Sequence, residues 1–397
     1  MRGLFDGDRA TLRDSLEATA ESLAAYGQHY PDWALAYSGG KDSSACLTAV
    51  VHLLAEGKVP RPRSLTVLYA DTRMELPPLH EAAMRTLKVV REKGFEARVV
   101  LPSMDDRFMV YMLGRGVPPP SNTFRWCTGQ LKVEPMLAAL RELRGRGDKL
   151  LMLTGVRLGE SAARDRRISL SCSRDGGECG QGWFQETTPE SVADTLAPLL
   201  HWRVCHVWDW LAIHAPRDGF ATEVVARVYD ADEEGSANEI SARTGCVGCN
   251  LASRDLALER VASRPEWAYL EPLRRLKPLY AELKRPCHRL RKAGGETRKD
   301  GTPASNQGRL GPLTLEARLW GLEQVLQIQR EINEAAHRQG SLEYLLIDPD
   351  EEARIRELIA AGMWPQKWTG DEPVGDSLPY EIRKDGSVQH WLPGVEG

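Results

Sequence analysis

The chain has 397 residues, 42% hydrophobic and 27% charged, with a formal net charge of −4. That length suits two domains or one domain with a large appendage, and the composition is that of an ordinary globular protein. No apolar run approaches the ~20 residues of a membrane helix, and the acidic balance gives no global sign of a nucleic-acid partner, which would have to be met by a local basic surface.

The opening stretch is amphipathic and acidic, without the pattern of a signal peptide, so a cytoplasmic protein with no membrane contact is expected. A helix is predicted over 8–28, then a short buried strand, WALAY, at 33–37. The apolar stretch 43–56 reads as a helix and 63–72 as a strand ending in polar residues. Residues 76–94 form a helix with proline near its start and glycine at its end. EARVVLP is the third strand, 130–146 a further helix, and 149–157 a fourth buried strand. Strands alternating with helices predict right-handed βαβ units, and so an α/β fold with a parallel sheet and helices on both faces.

Residues 158–200 are glycine-rich and weakly patterned and read as a long loop over the site. From about 203 the pattern turns mostly helical, with helices at 313–338 and 349–361. The basic segment 285–311 reads as a mobile connection, and the tail as a hairpin turning at Asp385-Gly386. Two domains are expected, 1–250 and a mostly helical 251–397.

Ligands of such sheets sit outside the carboxyl ends of the strands. The polar residues that follow each strand therefore share one rim: the 38–44 loop, Asp71-Thr72, and Arg157 to Arg164. Ser38-Gly39-Gly40-Lys41-Asp42-Ser43 lies between a strand and a helix, where glycines let backbone N–H groups reach an anion and the helix N-terminus adds positive potential. Ser43 and Ser44 add hydroxyl donors. The spacing is not that of a Walker A loop. A tight serine-capped turn is the bland alternative.

SGGKDS resembles the PP-loop of ATP pyrophosphatases, which split ATP between its α- and β-phosphates. Asp71 in YADT, the G-x-R-x-x-E-S-x-x-R pattern of Gly155 to Arg164, and the C-x-x-x-K-x-x-P start in WCTGQLKVEPM resemble the branch related to phosphoadenylylsulfate (PAPS) reductase. The RWCT…LK run from Arg125 to Lys132 and the GC-x-x-C of Gly245 to Cys249 are similar to DndC-type sulfurtransferases of DNA phosphorothioation, and an Ssp-type system fits equally. The resemblance implies an adenine nucleotide alpha hydrolase-like fold. It implies that Lys41, Asp42, Arg157 and Arg164 carry catalysis, and that Ser38, Gly39, Gly40, Lys41, Asp42, Ser43, Asp71 and Gly155 hold the nucleotide. Asp42 and Asp71 can hold Mg²⁺. Arginine suits bidentate contact with phosphate or sulfate. Arg166 and Arg167 are equally well solvated loop residues, and Glu160 is expected to orient an arginine or the helix start.

Eight cysteines are many for a cytoplasmic chain: Cys46, Cys127, Cys172, Cys179, Cys205, Cys246, Cys249 and Cys287. Cys246 and Cys249 form a C-x-x-C pair, which needs two further ligands to close a four-thiolate site. The resemblance supplies Cys127, at a cluster-ligand position of assimilatory adenylylsulfate reductases, although those carry CC where this chain has Trp126-Cys127. Cys205 is the choice for the fourth ligand. Cys172, Cys179 and an iron without a protein thiolate stay open. The resemblance points to a [4Fe–4S] cluster, with structural zinc as the alternative. Cys46 reads as core and Cys287 as a plain thiol, and the histidines show no ligand spacing.

The expected function is an ATP-dependent sulfurtransferase that adenylates a DNA backbone phosphate, working with a cysteine desulfurase and other phosphorothioation proteins. A PAPS-reductase-like enzyme is disfavoured because no cysteine follows Cys287. A tRNA-thiolating enzyme and a non-catalytic nucleotide-binding subunit of a defence complex are the further alternatives. The 285–309 segment could be a solvated loop or a contact to a nucleic-acid backbone.

Overall fold

The structure is a computed structural model that describes residues 11–145, 147–159, 183–185, 191–229, 245–252, 254–294, 297, 301–303, 308–377, 380–382 and 387–390. Glu160, Arg164, Arg166, Arg167, Cys172, Cys179 and the Asp385-Gly386 turn lie outside the described residues. The chain divides into two compact units. The first takes 1–71, 75–101 and 132–245, and the second takes 72–74, 102–131 and 246–397.

The first unit is built on β1 (Asp32–Tyr37), β2 (Ser64–Ala70), β3 (Glu96–Val100), β4 (Leu150–Thr154), β5 (Trp183–Gln185) and β6 (Ala193–Ala197). Their order is β3-β2-β1-β4-β6-β5. Five strands are parallel, and β5 closes the edge antiparallel to β6. The side chains of β1 alternate between two covered faces, which is why the strand is apolar almost throughout. Ala34 and Leu68 join Val100, Leu140 and Leu150 on one face, under helix α4 (Glu134–Arg144). On the other face Trp33 packs against Gly27 of α1 (Leu12–Gly27), where any side chain beyond hydrogen would meet its ring. Tyr37 and Tyr69 also touch there, with ring centroids 5.8 Å apart, and Tyr69 reaches His80 of α3 (Pro77–Glu92). Helix α2 (Lys41–Ala55) follows β1 directly. Helices α5 (Val204–Asp209) and α6 (Glu223–Val228) complete this unit among the described residues. This is the expected α/β fold, of the adenine nucleotide alpha hydrolase-like kind.

The long loop expected over 158–200 is corrected in part, because β6 is a core strand. Its Asp194 is 2% exposed, bonded by Lys149 at 2.8 Å and by the Tyr30 hydroxyl at 2.6 Å. A carboxylate at that depth is tolerable only because it is paired.

In the second unit, α7 (Leu256–Ser263), α8 (Leu276–Leu283), α9 (Leu315–Gln339) and α10 (Pro349–Ala360) carry most of the core. The early segments are fastened to α10 by charge. Arg73 donates to Asp348 at 2.7 Å, and Arg107 donates to Asp348 at 3.3 Å and to Glu351 at 3.2 Å. Burial holds the Glu351 carboxyl above its ordinary range. Arg318, fully buried, donates to the carbonyls of Leu313, Gly114 and Met363, and burial pulls it down to about 10.

The mobile basic connection is also corrected. Within it β7 (Arg289–Arg291) pairs antiparallel with β8 (Leu310–Leu313). Arg289 donates to the Gly311 carbonyl at 2.8 Å, and Lys292 donates to Glu372 at 2.6 Å. These cations hold the local fold. At the tail, β9 (Tyr380–Ile382) pairs antiparallel with β10 (Val388–His390), as expected of a hairpin. Among the described residues no helix is long and apolar enough to cross a membrane.

Candidate functional site

The strand order reverses direction between β1 and β4, the switch point at which α/β sheets bind ligands. The 38–43 loop leaves β1 at that point. Gly39 has φ +75°, a left-handed conformation that favours glycine, and it lies against Ala83 and Tyr69. Gly40 is the N-cap of α2 and makes no side-chain cap bond, which leaves the first N–H groups of the helix to other acceptors. Ser43 braces the turn, donating to the Gly40 carbonyl at 3.0 Å and lying 3.1 Å from the Ser38 hydroxyl. Ser44, expected as a phosphate donor, instead points its hydroxyl at Tyr37 in the core, 3.5 Å away.

The charges are arranged around Asp42. Lys41 Nζ donates to one carboxylate oxygen at 2.8 Å, and Arg157 Nε donates to the other at 2.5 Å. Arg157 also donates to the Trp202 carbonyl at 2.9 Å. Lys41 and Arg157 are each 3% exposed. Two buried cations against one carboxylate leave a net positive charge, beside a helix N-terminus that adds more. Both oxygens of Asp42 already take cationic donors, so its visible work is to hold Lys41 and Arg157 in place. Gly155 permits this approach of β4 to the loop. A Cβ there would lie 2.7 Å from the Asp42 carbonyl oxygen and 2.8 Å from Ser43 Cα, both backbone atoms. Asp71, 4% exposed, stands at the carboxyl end of β2, its N–H donating to the Val100 carbonyl at 3.0 Å.

Tyr229 belongs to this site and was missed. Its ring lies 5.4 Å from Lys41 Nζ, and its hydroxyl comes 3.5 Å from the Lys41 backbone nitrogen. It follows α6, far along the chain, and no local pattern marks it.

The cysteine site belongs to the second unit. Cys249 N–H donates to the Cys246 carbonyl at 3.1 Å, closing a turn in which Gly248 has φ +66°. The loop is pinned by Val247 N–H to the Met74 carbonyl at 2.7 Å and by Gly248 N–H to Asp255 at 3.0 Å. Gly248 has no room for a side chain: a Cβ would lie 2.9 Å from Leu276 and 3.1 Å from the Tyr280 ring. Cys127 is close enough to Cys249 for the two to repel as thiolates; burial first, then Cys249, raises the Cys127 thiol above its ordinary value. Beside it Trp126 stacks on Phe108 with centroids 5.3 Å apart, and Phe108 meets Tyr280 at 5.8 Å. Cys127, Cys246 and Cys249 thus share one unit. Cys205, the expected fourth ligand, is exposed on α5 of the first unit. Cys46 is core as expected, its thiol pushed up to about 12 by burial. Cys287 is more than a plain thiol: its sulfur, Glu282 and His288 lie within 4.8 Å of one another.

The donor set fits a soft metal centre. The C-x-x-C pair lies where Cys249 is felt electrostatically by Cys127, and two buried donors at the loop, Tyr280 Oη and Asn250 Nδ2, have no hydrogen-bond partner in the protein. An anionic sulfur centre is an acceptor for both.

Residues 32–216 match the family model described as the Phosphoadenosine phosphosulfate reductase domain. This part of the chain is similar to that domain. The match supports an enzyme of the ATP-pyrophosphatase or sulfur-transfer kind in general. No curated protein sequence matches the chain. Among solved structures it is similar to a PAPS reductase from Candida auris in phosphate complex, with TM-score 0.34 and 14% identity over 54% of this chain and 90% of that one. It is also similar to the U34-tRNA thiolase NcsA from Methanococcus maripaludis with its [4Fe-4S] cluster, with TM-score 0.34 and 15% identity over 58% of this chain and 75% of that one. An FMN adenylyltransferase from Candida glabrata follows, with TM-score 0.33 and 15% identity over 53% of this chain and 59% of that one.

Proposed function

We propose that the protein is an ATP-dependent sulfurtransferase that adenylates a DNA backbone phosphate and lets sulfur replace the activated oxygen. The observation that carries this reading is the Lys41–Asp42–Arg157 cluster at the β1/β4 switch point, on a glycine loop that opens a helix. The helix N–H groups and Lys41 bind the phosphates of ATP and stabilise charge on departing pyrophosphate. Arg157, held by Asp42 and Trp202, keeps Lys41 and the loop in register. An acceptor oxygen attacks the α-phosphorus, the bond to the α–β bridging oxygen breaks, and pyrophosphate leaves. A persulfide sulfur from a cysteine desulfurase then attacks the activated acceptor phosphorus, AMP leaves with the oxygen, and a free cysteine thiolate attacks the inner sulfur of the adduct, breaking its S–S bond to release the phosphorothioate and leave a disulfide. Mg²⁺ would neutralise phosphate charge, and Asp71 is the carboxylate assigned to hold it. A [4Fe–4S] cluster on Cys127, Cys246 and Cys249 would supply sulfur chemistry. The fourth ligand is assigned to Cys205, and Arg164 to the arginines around the nucleotide.

The test is to incubate the protein anaerobically with ATP, Mg²⁺, duplex DNA, a cysteine desulfurase and cysteine. The expected result is DNA-dependent pyrophosphate release together with phosphorothioate linkages in the digested DNA. Pyrophosphate released only with tRNA, together with thiolated nucleosides, would move the acceptor to RNA. No pyrophosphate with either nucleic acid would overturn the enzymatic reading in favour of a nucleotide-binding subunit.

A further inference from the structure

The C-x-x-C loop is flanked by two buried hydrogen-bond donors that the protein itself does not satisfy. Tyr280 is 1% exposed, and its ring lies against Gly248, the residue before Cys249. Its hydroxyl has no partner. Asn250 follows Cys249 directly, and its side-chain nitrogen is equally buried and unpartnered. Native proteins satisfy nearly all buried donors, so two orphans at one loop ask for an acceptor. The Cys249 carbonyl already takes Lys277 Nζ at 3.3 Å, and the Cys246 carbonyl the Cys249 N–H. The sulfurs of Cys246 and Cys249 are further acceptors at the loop.

We infer that Tyr280 Oη–H and Asn250 Nδ2–H donate to sulfur of the centre held by Cys246 and Cys249, acting as positioning residues that fix its polarity and reduction potential. This rests on the cluster reading above. Hydrogen bonds to cluster sulfur favour the reduced, more negative state. Phe108 packs near the ring, with centroids 5.8 Å apart, and Tyr280→Phe deletes the donor while keeping that ring.

The experiment is an anaerobic redox titration of the full-length protein, wild type against Tyr280→Phe and Asn250→Ala, with iron content and thermal melting measured alongside. The expected result is brown protein of unchanged iron content whose midpoint potential shifts negative in each variant and further in the double variant. Melting of the metal-loaded protein should also fall with Tyr280→Phe. An unchanged potential in both variants of brown protein would overturn the inference and leave the cluster reading standing. Colourless wild-type protein would overturn the cluster reading. The melting comparison then decides: a rise with Tyr280→Phe shows a hydroxyl with no acceptor and overturns the inference, whereas a fall supports donation to a different thiolate-held metal.

Discussion

The phosphate loop and the cysteine loop solve opposite problems. At the phosphate loop every charged side chain described has a protein partner: Lys41 and Arg157 share Asp42, and Trp202 takes the second donor of Arg157. That site is organised by its own charges. At the cysteine loop the backbone is pinned just as firmly, yet Tyr280 and Asn250 are left unpartnered, and burial and then Cys249 raise the Cys127 thiol. One site is complete as protein, whereas at the other the proposed metal centre is what would satisfy the unpartnered groups. Removing a residue from each should therefore fail differently.

The largest effect is expected at the cysteines. Serine at Cys127, Cys246 or Cys249 should strip or destabilise the centre, because in the proposed centre each thiolate is part of the shell. Iron and sulfide should fall from about four each per chain toward none. Equilibrium ATP binding should survive, and its loss would erase the contrast. Cys205→Ser separates the assigned fourth ligand from the rest: iron retained in full would remove Cys205 from the shell.

Lys41→Ala should act on ATP binding and rate and leave the fold and the cysteine site untouched. Asp42 keeps Arg157 as a partner, so the circular dichroism spectrum and the brown colour should be those of wild type. Pyrophosphate release should fall by about 10²–10³-fold, the size of losing one preorganised charge contact in a transition state. Release at the wild-type rate would take the phosphate role away from this loop.

Gly155→Ala tests whether the close approach of β4 to the loop matters. The added methyl meets backbone of Asp42 and Ser43, which cannot step aside without moving the start of α2. Overpacking of this kind costs about 1–3 kcal/mol, and a displaced phosphate cradle costs on the order of 10²-fold in rate. Wild-type melting and turnover together would show that the helix start has slack.

Most of the first unit was legible because its signals are local. Apolar strands covered on both faces, a proline at a helix start and glycines at positive φ all act within a few residues. Two failures share a physical cause, polar side chains satisfied by distant partners. Asp194 disguises β6 as loop, since Lys149 and Tyr30, which make it tolerable, lie far away in sequence. Arg289 and Lys292 made a paired segment look like a mobile basic one, because their partners are a carbonyl and a glutamate across the fold. Tyr229 escaped for the same reason. Chain continuity also misled: 72–74 and 102–131 belong with the C-terminal unit, fastened by Arg73 and Arg107 to Asp348 and Glu351. At the cysteine site, C-x-x-C spacing was plain, whereas the orphan donors exist only once Tyr280 is folded over Gly248.

The smallest effect is expected at Cys46, which shares its helix with the phosphate loop and its chemistry with neither site. It is fully buried in α2, and burial pushes its thiol up to about 12. Burial in apolar surroundings keeps the thiol protonated and out of reach of an alkylating agent. Cys46→Ala removes one sulfur from a packed core and should lower stability by about 1 kcal/mol. Iron content, colour and pyrophosphate release should match wild type. The check is a denaturation curve beside an iron assay on the same sample. Lost iron would place Cys46 among the ligands and break the division between a core that only packs and a loop that only binds.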